Sequence, residues 1–280
     1  MSRYSAGRFL VVLFLLLASV GGAIADTTTI RVGYFEGGED PINFLLREEI
    51  QRQMTNMTPP DTQFVFVPEG YRSAGWVRDS SRVMAAQLAA VPGIDVMVAV
   101  GPWVVQDLLT AGYSRPILGV RQIDLLGAGL VDSTGTPVAR NLTVHEMPGK
   151  IEDDIAVLTR LLPVEKLGVL WFDAGDGKSD SEGEAKSVIA RVTRLGQQAG
   201  FETVTAGGFN IHRTYAFFRG YNDLPKDIDA LYLGPTWGLT VTMINELLRL
   251  AMNDGIPVFT WEGKFLVTRG AFGKIGRAHV

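Results

Sequence analysis

Two stretches decide the reading of this chain: IDVMVAVGPW at 94–103 and IDALYLGPTW at 228–237. Each opens on Ile-Asp, runs through a segment with no polar face, VMVAV or ALYL, and breaks at Gly-Pro shortly before a tryptophan. A strand that is apolar on both faces fits a sheet covered by helices on both sides, which is the setting of parallel strands, not of a half-wetted antiparallel sheet. The likeness continues downstream. A helical stretch follows each segment, and then X-Pro opens a further apolar run, RPILGVRQIDLLGAGL at 115–130 and IPVFTWEGKFLVTRGAF at 256–272. Ile94 to Pro116 spans 22 positions and Ile228 to Pro257 spans 29. The excess of seven is about two turns of helix at roughly 3.6 residues each, so a longer second helix absorbs it. The chain thus carries a weak internal repeat and reads as two like lobes.

Outside the repeat, β-branched apolar runs alternate with helical periods. Strands are expected at 29–35, 62–67, 94–100, 116–120, 142–145, 166–172, 202–205, 228–233 and 256–260. Helices are expected at 42–53, 81–90, 103–111, 150–162, 181–198 and 239–253. This alternation predicts an α/β fold of two doubly wound parallel-sheet lobes joined by a hinge. The lobes are expected at 26–147 and 148–273, with Met147-Pro148-Gly149 as the hinge turn.

The first residues stand apart. Arg3 and Arg8 precede an apolar run from Phe9 to Val20, and Ala23-Ile24-Ala25 has the small-x-small pattern of a cleavage site. Residues 1–25 are therefore expected to be a cleaved signal peptide, the run being short for a bilayer span. Removing two arginines and no acids takes the formal net charge from −4 to −6. The exported chain is acidic and lacks clustered Lys and Arg, which argues against a nucleic-acid partner. It contains no cysteine, which excludes a disulfide framework, a thiolate zinc site, a Cys nucleophile and a lipid-attachment cysteine. The expected location is the periplasm, without a lipid anchor.

Catalytic motifs fail on inspection. Gly177-Lys178-Ser179 resembles the end of a phosphate loop, but the glycine required five positions earlier is Phe172. Read as a calcium loop from Asp173, the same segment places Gly175 and Gly177 where side-chain oxygens are needed. The histidines, His145, His212 and His279, are too scattered for a metal cluster. No nucleophile elbow or dinucleotide fingerprint is present. No catalytic residue, cofactor or metal is expected, and the chain reads as not an enzyme.

What recurs is a set of loops at the carboxyl ends of the expected strands, where open α/β sheets bind ligands. In the first lobe these are 34–40, 101–103 and 121–124; in the second, Asp173, 235–237 and 261–262. They bring aromatic rings beside carboxylates and a hydroxyl, a set suited to a small amphipathic solute.

The segments GIDVMVAVGPWVVQDLL, RPILGVRQIDLLGAGLV, ARNLTV, LLPVEKLGVLWF and DIDALYLGPTW, with IPVFTWEGKFLVTRGAFG, cover most of 93–273. They resemble the solute-binding proteins of ABC importers with a type I periplasmic-binding fold, in the branch related to tryptophan and tyrosine binders. The resemblance implies two hinged lobes that close on a small molecule, amino-acid-like or aromatic, and dock as a monomer on an inner-membrane ABC permease. It also implies ligand contacts from Phe35, Glu36, Gly101, Trp103 and Asp124 in the first lobe, and from Asp173, Thr236, Trp237 and Glu262 in the second. The chain departs from the family at Val144-His145-Glu146, where relatives have a Gly-rich turn, and in lacking the lipid-anchoring cysteine. A sensory or envelope-interaction protein using the same fold without transport stays open as an alternative. An enzyme on a similar two-lobed fold is disfavoured by the missing motifs.

The last residues, GAFGKIGRAHV at 270–280, begin like a buried strand and then lose all pattern. Set against the first lobe and the resembling family, the second lobe is expected to be truncated. Ile275–Val280 can be read as a translated sequencing adapter, so 274–280 is expected to be a non-native tail.

Overall fold

The computed structural model describes residues 27–145, 149–173, 181–210 and 214–274; the side chains of 172–173, 181–186, 207–210, 214–217 and 273–274 are not part of that description. The expected signal peptide, the hinge residues Met147 and Pro148, the loop 174–180, His212 and the tail 275–280 lie outside the described residues. Among the described residues no helix is long and apolar enough to cross a membrane.

Among the described residues, two parallel sheets of five strands organise the chain. The first contains β1 (Thr28–Glu36), β2 (Thr62–Ser73), β3 (Val96–Val100), β4 (Ile117–Val120) and β5 (Leu142–Val144), in the order β2-β1-β3-β4-β5. The second contains β6 (Lys166–Asp173), β7 (Glu202–Asn210), β8 (Ala230–Leu233), β9 (Val258–Thr260) and β10 (Gly273–Lys274), in the order β10-β9-β8-β6-β7. Read from the other edge, the second order is the first one repeated. The quoted stretches supply β3 and β8, the third strand of each sheet. The helices after them are α3 (Val104–Thr110) and α7 (Val241–Asn253), of 7 and 13 residues. Their difference, 13 − 7 = 6, takes up most of the spacing between the two repeats.

The remaining helices are α1 (Pro41–Asn56), α2 (Arg78–Ala90), α4 (Lys150–Leu161), α5 (Ser181–Ala199), α6 (Thr214–Asp223) and α8 (Lys264–Val267). Both faces of each sheet are covered, as strands with no polar face require. In the first, Val32, Tyr34, Val98 and Val100 pack towards Leu46, Ile50 and Met54 of α1. Phe35, Met97 and Ala99 pack the opposite way, towards Ala85 and Leu88 of α2 and Val104, Val105 and Leu108 of α3. In the second, Ala230 and Tyr232 of β8 face α4 and α5, while Leu231 and Leu233 face α7. Helix starts are fixed locally. The Asp40 carboxylate accepts from the Asn43 amide at 2.7 Å, with Pro41 in the first turn of α1, and Thr240 caps α7 through the Met243 amide at 3.2 Å.

Candidate functional site

The carboxyl ends of the two sheets face each other, and a buried arginine joins them. Arg121 follows β4. Its Nη2 donates to Glu262 of the second lobe at 2.6 Å, and its Nη1 donates to both Asp40 oxygens at 3.3 and 3.2 Å and to the Asn43 side chain. The guanidinium lies 4.1 Å from the centroid of the Trp237 ring. Glu262 in turn accepts from the Thr236 amide at 2.8 Å and from its hydroxyl at 3.3 Å. Each charge in this chain is desolvated, and each is matched by an opposite charge or a donor, which is the condition for tolerating buried ions.

Tryptophans form the apolar part of the junction. Trp76, Trp103 and Trp237 are buried together, and the Trp76 and Trp237 ring centroids are 5.7 Å apart at an interplanar angle of 49°. The Trp76 indole donates to the Glu39 carbonyl at 3.1 Å. Trp76, Trp103 and Arg121 all have positive φ, at 62°, 62° and 55°. A non-glycine residue held there costs on the order of 1–3 kcal/mol. All three follow carboxyl ends of strands in the first sheet, so backbone strain is concentrated where the lobes meet. Two glycines let the rings approach. A Cβ on Gly38 would stand 2.5 Å from Trp76, and Gly101 has φ 90° with Trp237 next to it.

Beside this junction lies a cleft of about 360 Å³. One wall is Glu36, Glu39, Asp40 and Phe44 with Arg47; the other is the segment 238–241 that leads into α7. Glu36 is 1 % exposed, and burial pushes its carboxyl up from 4.5 to about 7, against the lowering effect of the Tyr71 hydroxyl. The Tyr71 hydroxyl lies 3.0 Å from Glu36 and 3.2 Å from Glu39.

Of the residues the sequence singled out, Gly101, Trp103, Thr236, Trp237 and Glu262 lie at the junction, and Glu36 lines the cleft. Phe35 is fully buried in the core of the first lobe, because strand alternation turns it to the face opposite Tyr34 and Glu36. Asp124 caps the turn after β4, its Oδ1 accepting from the Gly127 amide at 2.9 Å. Asp173 ends β6, paired with Asn210, and its side chain lies outside the described residues. Arg121, Glu39 and Asp40 sat within the expected loops but were not singled out; Trp76, Tyr71, Arg47 and Asn43 were missed. Among the described residues no group of three or more His, Asp or Glu is arranged to hold a metal ion.

No protein-family model matches the chain, and no curated protein matches it. Solved structures do. An ABC domain in complex with L-Trp from Streptococcus pneumonia is 17% identical, with a TM-score of 0.69 over 89% of this chain and 79% of that one. A conserved domain protein from Vibrio cholerae O1 biovar eltor is 20% identical, with a TM-score of 0.66 over the same shares, 89% and 79%. A type 1 periplasmic binding protein from Bordetella pertussis Tohama I is 11% identical, with a TM-score of 0.56 over 87% of this chain and 65% of that one. At such identities the likeness is one of fold: this chain has the type I periplasmic-binding fold.

Proposed function

We propose that this protein is an extracytoplasmic solute-binding protein, which captures a small molecule between lobes 26–147 and 148–273 and presents it to an ABC permease. One observation carries this reading: the ligand-binding ends of two like parallel sheets are opposed across a cleft whose walls come from both. A cleft of about 360 Å³ falls within the roughly 300–1,000 Å³ of small-molecule sites. A solute touching both walls binds the closed arrangement better than an open one, and that difference drives closure. The fold is shared with an L-Trp complex, so amino-acid-like and aromatic solutes head the candidates. The site binds its solute without converting it. The protein works as a periplasmic monomer released by cleavage after Ala25.

A thermal-shift screen of amino acids, aromatic acids, amines and sugars tests this. A ligand at about 100 times its Kd adds about 2.7 kcal/mol of stability. A saturable shift, with closure seen by small-angle scattering, is the expected result. If no small solute shifts the transition, the reading is wrong. Co-purification with a permease separates delivery from sensing.

A further inference from the structure

We propose that the cleft takes a small organic cation, its ammonium or guanidinium held between Glu36 and Glu39 and its body against Phe44 and Leu239. This rests on the solute-binding reading and adds the chemical class of the solute.

The first ground is a charge deficit. Among the described residues, Glu36, Glu39, Asp40 and Glu262 meet at the junction and cleft with two cations, Arg121 and Arg47, an excess of two negative charges when all four carboxyls are ionised. Arg121 is committed to Asp40 and Glu262. Arg47 lies over the Tyr34, Phe44 and Tyr71 rings, 5.8, 5.6 and 5.2 Å from their centroids. The opposite wall, 238–241, has no charged side chain. The amino end of α7 adds about half a positive charge and leaves the deficit standing.

The second ground is a proton deficit. Two carboxylates converge on one phenol, and a phenol has one proton to donate. One of the two contacts therefore lacks a proton unless Glu36 carries it. The upward shift of the Glu36 carboxyl to about 7 agrees with this shortage: burial outweighs the lowering effects of the Tyr71 and Ser73 hydroxyls and of Arg47, and Glu39 adds to it. Among the described residues, the charged and titratable groups around it are Tyr34 on β1, Tyr71 on β2, Glu39 and Asp40 in the loop and Arg47 on α1, with the Ser73 hydroxyl and the amino end of α7 beside them. A ligand ammonium supplies both the missing charge and the missing donors. An anion there meets uncompensated carboxylates.

Isothermal titration of the full chain tests this with tyramine and agmatine as cations, 4-ethylphenol as a neutral probe and 3-(4-hydroxyphenyl)propionate as an anion. The expected result is binding of a cation at least tenfold tighter than the other two. That affinity should fall by about tenfold from pH 8 to pH 6, since a group with a pKa near 7 is about one-eleventh ionised at the lower pH. Glu36→Gln should remove both the affinity and its pH dependence, with circular dichroism reporting the fold. Arg47→Gln should tighten cation binding several-fold, a gain that misfolding cannot imitate. Any hit from the wider screen is compared with its own analogues in the same way; for an amino acid, loss of the amino group must cost more than loss of the carboxylate. A neutral or anionic solute that binds as tightly as its cationic analogue, or a folded Glu36→Gln protein that keeps its cation affinity, overturns the inference and leaves the solute-binding reading intact. If nothing binds, both fall.

Discussion

Arg121 and Trp237 come from different lobes, yet the guanidinium sits 4.1 Å from the ring centroid while its Nη2 is tied to Glu262 at 2.6 Å. The contact is both a cation–π stack and one end of a buried ion chain, so the lobes hold together through the protein's own residues. Removing Arg121 leaves Asp40 and Glu262 buried without their cation, a loss of about 3–5 kcal/mol.

That figure sets the first expectation. Arg121→Leu should lower the midpoint of chemical unfolding and enlarge the radius of gyration in small-angle scattering, because the remaining carboxylates repel and hydrate. Glu262→Gln keeps an acceptor for Arg121 and for the Thr236 amide, so it should open the protein less. Equal compactness of Arg121→Leu and the parent protein would show that the ion chain does not hold the lobes.

A second expectation concerns Gly38. Its missing side chain is where Trp76 lies, at 2.5 Å from an ideal Cβ. Gly38→Ala forces the indole off its contact with Trp237, and overpacking of this kind costs about 1–3 kcal/mol. Tryptophan emission should shift to the red as the Trp76–Trp237 pair separates. An unchanged spectrum and melting temperature would contradict this account.

How much of this was legible in the sequence follows from what each feature depends on. Strands β3 and β8 were readable because apolarity on both faces is a local property, and Gly-Pro marks where it stops. Every expected strand and helix appears, with ends moved by a few residues. Strand β7 runs on to Asn210, five residues past its expected end at Thr205, because Ala206-Gly207-Gly208 interrupts the β-branched pattern without ending the pairing. Helix α8 is a single turn of four residues, too short to show a period. The site was less legible. Arg121 pairs with partners 81 and 141 positions away, and no local spacing encodes that. Positive φ at Trp76, Trp103 and Arg121 leaves no trace either, since only glycine or asparagine would announce it. Phe35 is different, because alternation with Tyr34 and Glu36 already places it on the core face.

A third expectation lies away from the cleft. Tyr232 donates to the Asp154 carboxylate at 2.8 Å, and Lys150 holds the same carboxylate at 2.8 and 2.9 Å. Asp154 is 2 % exposed, and burial pushes its carboxyl above the usual aspartate range despite Lys150. Tyr232→Phe removes one donor from a buried acceptor, which costs about 1–3 kcal/mol. The melting temperature should fall while solute affinity stays as it was. A drop in affinity would instead connect this network to the cleft.

The fourth expectation is a pH dependence of stability set by Glu36. Its carboxyl is raised in the folded protein from 4.5 to about 7, chiefly by burial. The folded state therefore holds the proton more tightly than the unfolded chain, and the group favours folding while it is protonated in both states. That contribution is complete below pH 4.5 and is lost as the pH rises through 7. With roughly 1.36 kcal/mol per pH unit of difference, the loss is about 3 kcal/mol. Urea midpoints of the ligand-free protein should fall between pH 4.5 and 8. Other groups titrate in the same range, so the decisive quantity is the difference from Glu36→Gln. That variant should be more stable than the parent at pH 8 and lose the advantage near pH 5. Parallel curves for the two proteins across this window would mean that Glu36 ionises as an ordinary surface carboxylate, and the charge deficit assigned to the cleft would have to be abandoned.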